Sequence, residues 1–89
     1  MHLSSSPSAA TTLDAVIAGN VRAIRARRRL PQDDLDADLG WPRPAVLMIE
    51  AGTRRITIAD AIALCSVLKV SLGELLNGAE PEDLDALGL

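Results

Sequence analysis

Apolar side chains recur at three- and four-residue intervals early in the chain, at Leu13, Val16, Ile17, Val21 and Ile24. That spacing places them on one face of a helix. Thr12 stands where a capping hydroxyl is expected. The run Arg25-Ala26-Arg27-Arg28-Arg29 gathers cations at the other end, where the helix dipole favours them. Pro31 lacks the amide proton that the next turn would use, so this helix stops before it. Residues 1–11 hold mostly Ser, Pro, Ala and Thr, with little to bury, and read as a flexible arm.

Shorter segments follow. Gln32–Leu39 has Leu35 and Leu39 facing inward and Asp33 and Asp34 in its first turn; Gly40 ends it. Pro42 and Pro44 suit the start of a third helix, where a missing N–H does no harm. That helix carries Val46 and Ile49 on one face and runs to about Ala51, with Gly52 as its stop. Thr57 and Asp60 form a capping pair for a fourth helix reaching about Leu68, with Ile58, Ile62, Leu64, Cys65 and Leu68 apolar. Ser71 and Glu74 repeat the pattern for a short fifth helix through Leu76, which Asn77-Gly78 ends. In the acidic tail, residues 79–89, the spacing of Leu84, Leu87 and Leu89 permits another turn or two. The prediction is an all-α, compact five-helix bundle over residues 12–78.

The chain has 89 residues, enough for one domain with a small core. It has no Phe or Tyr, and Trp41 is its sole aromatic. Small aliphatic side chains let helices approach closely. A single cysteine, Cys65, cannot pair internally, which points to a reducing cytoplasm. Its apolar surroundings in sequence favour a packed small hydrophobe over a reactive thiol. No stretch reaches the ~20 apolar residues of a membrane span, and the N-terminus has no signal-peptide pattern. A cytoplasmic protein is the expectation.

A net charge of −3 does not advertise a polyanionic partner, but its distribution does. From Asn20 to Ile58, eight arginines face only Asp33, Asp34, Asp36, Asp38 and Glu50. From Ala59 onward, Lys69 is the single cation against six carboxylates. Any polyanion should therefore meet the middle of the chain.

That middle holds a helix, a glycine, an apolar residue and a second helix within about residues 32–51, the spacing of a helix-turn-helix. Leu35 and Leu39 must meet Val46 and Ile49 so that the two helices cross steeply. The second then projects and can enter a major groove about 12 Å wide. Pro31-Gln32-Asp33-Asp34-Leu35, Leu39-Gly40-Trp41, Val46 and Ile49-Glu50-Ala51-Gly52 together resemble the Cro and lambda-repressor type of helix-turn-helix domain. Val21-Arg22-Ala23-Ile24-Arg25 is similar to that family's first helix. Arg54-Arg55-Ile56-Thr57-Ile58, Leu64, Leu68-Lys69-Val70-Ser71 and Glu74-Leu75-Leu76 are similar to its fourth and fifth helices. The resemblance covers roughly residues 13–78.

The resemblance implies a third helix that reads duplex DNA, Gln32 on a phosphate, and an ion pair between Arg25 and Glu50. A carboxylate on a packed helix needs such a partner, which favours a structural role for that pair. By alignment, the groove-facing positions are Arg43, Pro44, Leu47 and Met48. A guanidinium can read guanine through two hydrogen bonds, so Arg43 is the leading candidate for base contact; a phosphate clamp is the alternative. Leu47 and Met48 are apolar where the family often has polar residues. They fit thymine methyl groups, a protein-binding patch or a dimer contact equally well. Arg54 and Arg55 are candidate phosphate contacts, which supply affinity and salt dependence. Arg27, Arg28 and Arg29 could extend that rim or be plain solvated residues.

Asp36 departs from the family, which usually has Ala there, and must be capped, paired or pushed to the edge; a hydrogen bond from the start of the third helix and a pair with a nearby arginine are both open. Pro31 and Pro42 replace the usual Ser or Thr caps. The functional expectation is a bacterial or phage transcriptional regulator, a repressor that binds a double-stranded operator. It would use no cofactor and could dimerise through the fifth helix and the Leu84, Leu87, Leu89 tail. The alternative is a protein-interaction module or antitoxin on the same bundle with a degenerate reading helix. Catalysis and metal binding are not expected: the one histidine, His2, and the one cysteine make no metal-ligand spacing or nucleophile–base pair.

Overall fold

The computed structural model describes residues 9–89, with side-chain surroundings from Leu13 onward. Six helices follow in order: α1 (Ala9–Arg28), α2 (Gln32–Leu39), α3 (Ala45–Ala51), α4 (Ile58–Leu68), α5 (Leu72–Leu75) and α6 (Pro81–Ala86). Among the described residues there is no strand. Residues 1–8 of the expected arm, including His2, lie outside the described residues. Residues 9–11 already belong to α1. Thr12 is therefore inside the helix rather than capping it; the alanines before it are strong helix formers and nothing there stops the helix.

The core is aliphatic. Val21 and Ile24 of α1, Leu35 of α2, Val46 of α3, Leu64 and Leu68 of α4, and Leu75 and Leu76 close over one another. α1 packs against α3 and α5, while α4 contacts α2 and α5. Asn20 ties α1 to the end of α5 by donating from Nδ2 to the carbonyls of Leu75 (2.7 Å) and Asn77 (3.0 Å). The start of α4 is closed by a reciprocal pair. The Thr57 hydroxyl accepts from the Asp60 amide at 3.0 Å, and the Asp60 carboxylate accepts from the Thr57 amide at 3.1 Å. Ser71 and Glu74 repeat it at α5, at 3.0 and 3.1 Å.

The turn or two that the leucine spacing permits in the acidic tail forms a sixth helix beside the five expected. Pro81 sits at its start with Glu82 and Asp83 in the first turn, and Leu84 packs against the core. On α4 the inward stripe is Ala61, Leu64 and Leu68, whereas Ile58 and Ile62 are 67% and 64% exposed. Ile62 lies one residue beyond Ala61, a rotation of about 100° away from the core.

Candidate nucleic-acid interface

The unit that projects from this core is built by α2, the turn after it and α3. Gly40 takes the left-handed conformation (φ 71°), which costs glycine little. There the Gly40 amide donates to the Ala37 carbonyl at 3.1 Å and the Trp41 amide to Asp36 at 3.0 Å. Gly52 (φ 77°) ends α3 the same way, with the Thr53 amide reaching the Met48 carbonyl at 2.9 Å. Between the helices Leu35, Val46 and Ile49 are buried, which sets the crossing.

Asp36 explains how α3 starts. The residue before α3 is Pro44, which has no capping side chain. Asp36, 1% exposed on the neighbouring helix, accepts from the Val46 amide through Oδ1 at 2.8 Å. A carboxylate on α2 thus does the work of an N-cap for α3, satisfying a donor that would otherwise be orphaned at the helix start. Its other oxygen, Oδ2, is buried with no hydrogen-bond partner among the described residues. α3 consequently begins at Ala45, later than the proline pattern predicted. Arg43 and Pro44 lie in the turn that leads into the helix rather than within the helix itself.

The other end of α3 is locked to α1. Arg25 grips Glu50 with two bonds, Nε to Oε2 at 2.7 Å and Nη2 to Oε1 at 2.9 Å, and Nη1 reaches the Leu30 carbonyl at 2.9 Å. Gln32, at the start of α2, donates to the same Oε1 at 3.0 Å. Arg22 donates to the Glu50 carbonyl at 2.7 Å. The Glu50 side chain is 3% exposed and that of Arg25 18%. Burial pushes the Glu50 carboxyl up. The hydrogen bonds from Arg25 and Gln32 and the charges of Arg25 and Arg22 outweigh it, and the net shift is downward. The hydrogen bond to Glu50 holds the Arg25 guanidinium above its usual value. One carboxylate therefore fastens α1, α2 and α3 together. The role of Arg22 escaped the sequence reading, although it lies one helical turn before Arg25 on the same face.

With one face of α3 buried through Val46, Ile49 and Glu50, the opposite face is bare. Leu47 (48% exposed), Met48 (37%) and Ala51 lie along it at helical spacing. Arg43 stands at the head of this face, paired with Asp33 at 2.9 Å with both side chains well exposed. Arg54 and Arg55 follow α3. The Arg54 guanidinium stacks 4.6 Å over the Trp41 ring and lies 3.6 Å from Asp60. Arg55 bonds Asp14 of α1 at 2.8 Å, its own side chain 72% exposed. Neither the Trp41–Arg54 stack nor the Asp14–Arg55 pair was legible, because each joins residues far apart in sequence. Arg27, Arg28 and Arg29 are exposed at the end of α1. Away from this face, Cys65 is half-buried; burial and the charge of Glu74 push its thiol pKa up, which keeps it protonated. Among the described residues no group of three His, Cys, Asp or Glu side chains could hold a metal ion. No described helix is long and apolar enough to cross a membrane.

A short helix, a glycine turn and a second helix with one face buried and one free define the class: a helix-turn-helix DNA-binding domain. The chain belongs to the helix-turn-helix family, of the Cro and lambda-repressor type; the family model matches residues 21–75, more than half of the chain. Among solved structures, the chain is similar to one from Neisseria described as a hypothetical transcription factor. The two are 24% identical with a TM-score of 0.70, over 98% of this chain and 97% of that one. No curated protein matches.

Proposed function

We propose that this protein is a sequence-specific double-stranded DNA-binding transcriptional regulator of bacterial or phage type. It acts as a cytoplasmic repressor by occupying an operator. One observation carries the reading: the outer face of α3 stands free while its inner face is fastened at both ends, by Asp36 at the start and by the Arg25–Glu50–Gln32 cluster at the finish. A rigid, projecting helix flanked by Arg43, Arg54 and Arg55 suits insertion into a major groove.

In this reading Gln32, Arg54 and Arg55 contact phosphates and fix the register. Arg43, Pro44, Leu47 and Met48 face base edges. The exposed pair between Arg43 and Asp33 is weak, ~0.2–1 kcal/mol, so a guanine edge or a phosphate can compete for the guanidinium. Arg25 and Glu50 serve structure, holding α3 in place. The description of the Neisseria relative as a hypothetical transcription factor agrees with this assignment. An operator half-site per protomer, one DNA turn apart at ~34–36 Å, calls for a homodimer. Exposed Leu72 on α5 and Leu87 in the tail, beside Ile58, offer an apolar surface for it.

The test is selection of bound duplexes from a random pool at stated salt, followed by sequencing. Enrichment of a symmetric motif is expected. If no motif is enriched, the assignment fails, and the apolar face of α3 becomes the docking surface of a protein-interaction module.

A further inference from the structure

We infer that the body of α3 discriminates bases by apolar contact with the 5-methyl group of thymine rather than by hydrogen bonding. This rests on the DNA-reading assignment above and specifies what the helix reads. α3 has the sequence Ala45-Val46-Leu47-Met48-Ile49-Glu50-Ala51, whose single hydrogen-bonding side chain is Glu50. Glu50 faces the core and is bonded by Arg25 and Gln32, so it cannot turn outward without breaking the cluster. What remains on the outer face is Leu47, Met48 and Ala51, with Pro44 ahead of them and no donor or acceptor on any of the four side chains.

The neighbouring polar groups are committed elsewhere. Asp36 serves the Val46 amide. The Thr53 hydroxyl donates to the Met48 carbonyl at 3.2 Å, and Arg54 and Arg55, assigned above to phosphates, follow α3 and lie outside it. Among the side chains assigned above to base edges only Arg43 can hydrogen-bond, through release of its weak exposed pair with Asp33, and it precedes the helix. Further along, only shape and apolar area are available for discrimination.

In the major groove each base presents a distinct edge, and thymine alone carries a methyl group. A leucine and a methionine side by side make a surface that gains by covering that methyl and gains nothing from the exocyclic amine of cytosine or adenine. The flexible thioether of Met48 can adapt to a methyl at either of two neighbouring steps. Every base pair leaves polar edges beneath this face, so the difference between pairs lies in the apolar area that the thymine methyl adds.

The experiment uses the full chain and the duplex enriched by selection. Each thymine of the half-site is replaced in turn by deoxyuridine, which removes the methyl and leaves every hydrogen-bonding group. Affinity is read by fluorescence anisotropy at fixed salt. At one or two positions the affinity should fall about fourfold, the equivalent of ~0.8 kcal/mol for one buried methyl. In Leu47→Ala or Met48→Ala, whose side chains are exposed and whose folding is checked by circular dichroism, that sensitivity should shrink or vanish. Placing 5-methylcytosine at an unfavoured cytosine in the same position should recover part of the loss. A duplex that is bound specifically yet is indifferent to uracil at every position overturns the inference while leaving the regulator assignment intact. Failure to enrich any duplex removes both.

Discussion

Removing the Glu50 carboxylate is the sharpest perturbation of this architecture, because that one group holds three helices. In Glu50→Ala the Arg25 guanidinium, largely buried, loses both partner oxygens, and Gln32 loses its acceptor. Breaking a buried ion pair by deleting one partner typically costs ~3–5 kcal/mol, since the remaining charge is stranded away from water. Domains of this size are stable by about 5–15 kcal/mol, so the loss is a large share of the total. At about 4–8 °C per kcal/mol it corresponds to a melting temperature lowered by more than about 12 °C. The assay is urea denaturation followed by far-ultraviolet circular dichroism near neutral pH. Arg25→Met with Glu50→Met should be less destabilised than the two single changes summed, because neither charge is then stranded. A Glu50→Ala loss under about 1 kcal/mol, or strict additivity in the cycle, would refute the idea that the pair holds α3 in place.

Four further outcomes are expected. Because the Glu50 carboxyl is held below its ordinary value in the folded state, its contribution is complete above the usual glutamate range and is lost as pH falls through the lowered value. Acid titration of stability should show this loss, and Glu50→Gln should flatten it. Asp36→Ala orphans the Val46 amide and should cost about 1–3 kcal/mol, with hydrogen exchange at Val46 accelerated more than at Leu64. Arg55→Ala should weaken binding to all duplexes alike and reduce the slope of log affinity against log salt by about 1. Arg54→Ala should do the same and also lower stability measurably, because its guanidinium covers Trp41.

The bracketing of α2 was legible because Pro31 and Gly40 mark its two ends by chemistry that acts within a few residues. The caps of α4 and α5 were legible for the same reason, as Thr57–Asp60 and Ser71–Glu74 are local devices. The start of α3 was legible only in part: a bond from its first turn to Asp36 was one of two open readings, and the choice depends on a contact ten positions away on another helix. The start at Ala45 leaves Arg43 and Pro44 in the turn that leads into the reading helix. The inward face of α4 was not legible because its sequence is apolar nearly all round, and periodicity cannot choose a face where almost every position qualifies. At the site, the meeting of Arg25 with Glu50 was visible through the family resemblance. The additional bonds from Arg22 and Gln32 depend on tertiary distances that no local pattern encodes.

The outer face of α3 is the surface that must meet the duplex. Titrating the selected duplex into nitrogen-labelled protein and following backbone amide shifts maps that surface directly. Gln32, Leu47, Met48 and the Thr53–Arg55 loop should move strongly, while Leu84 on α6 stays nearly still. Large shifts confined to α4, α5 and α6, with the amides of α3 unmoved, would contradict it.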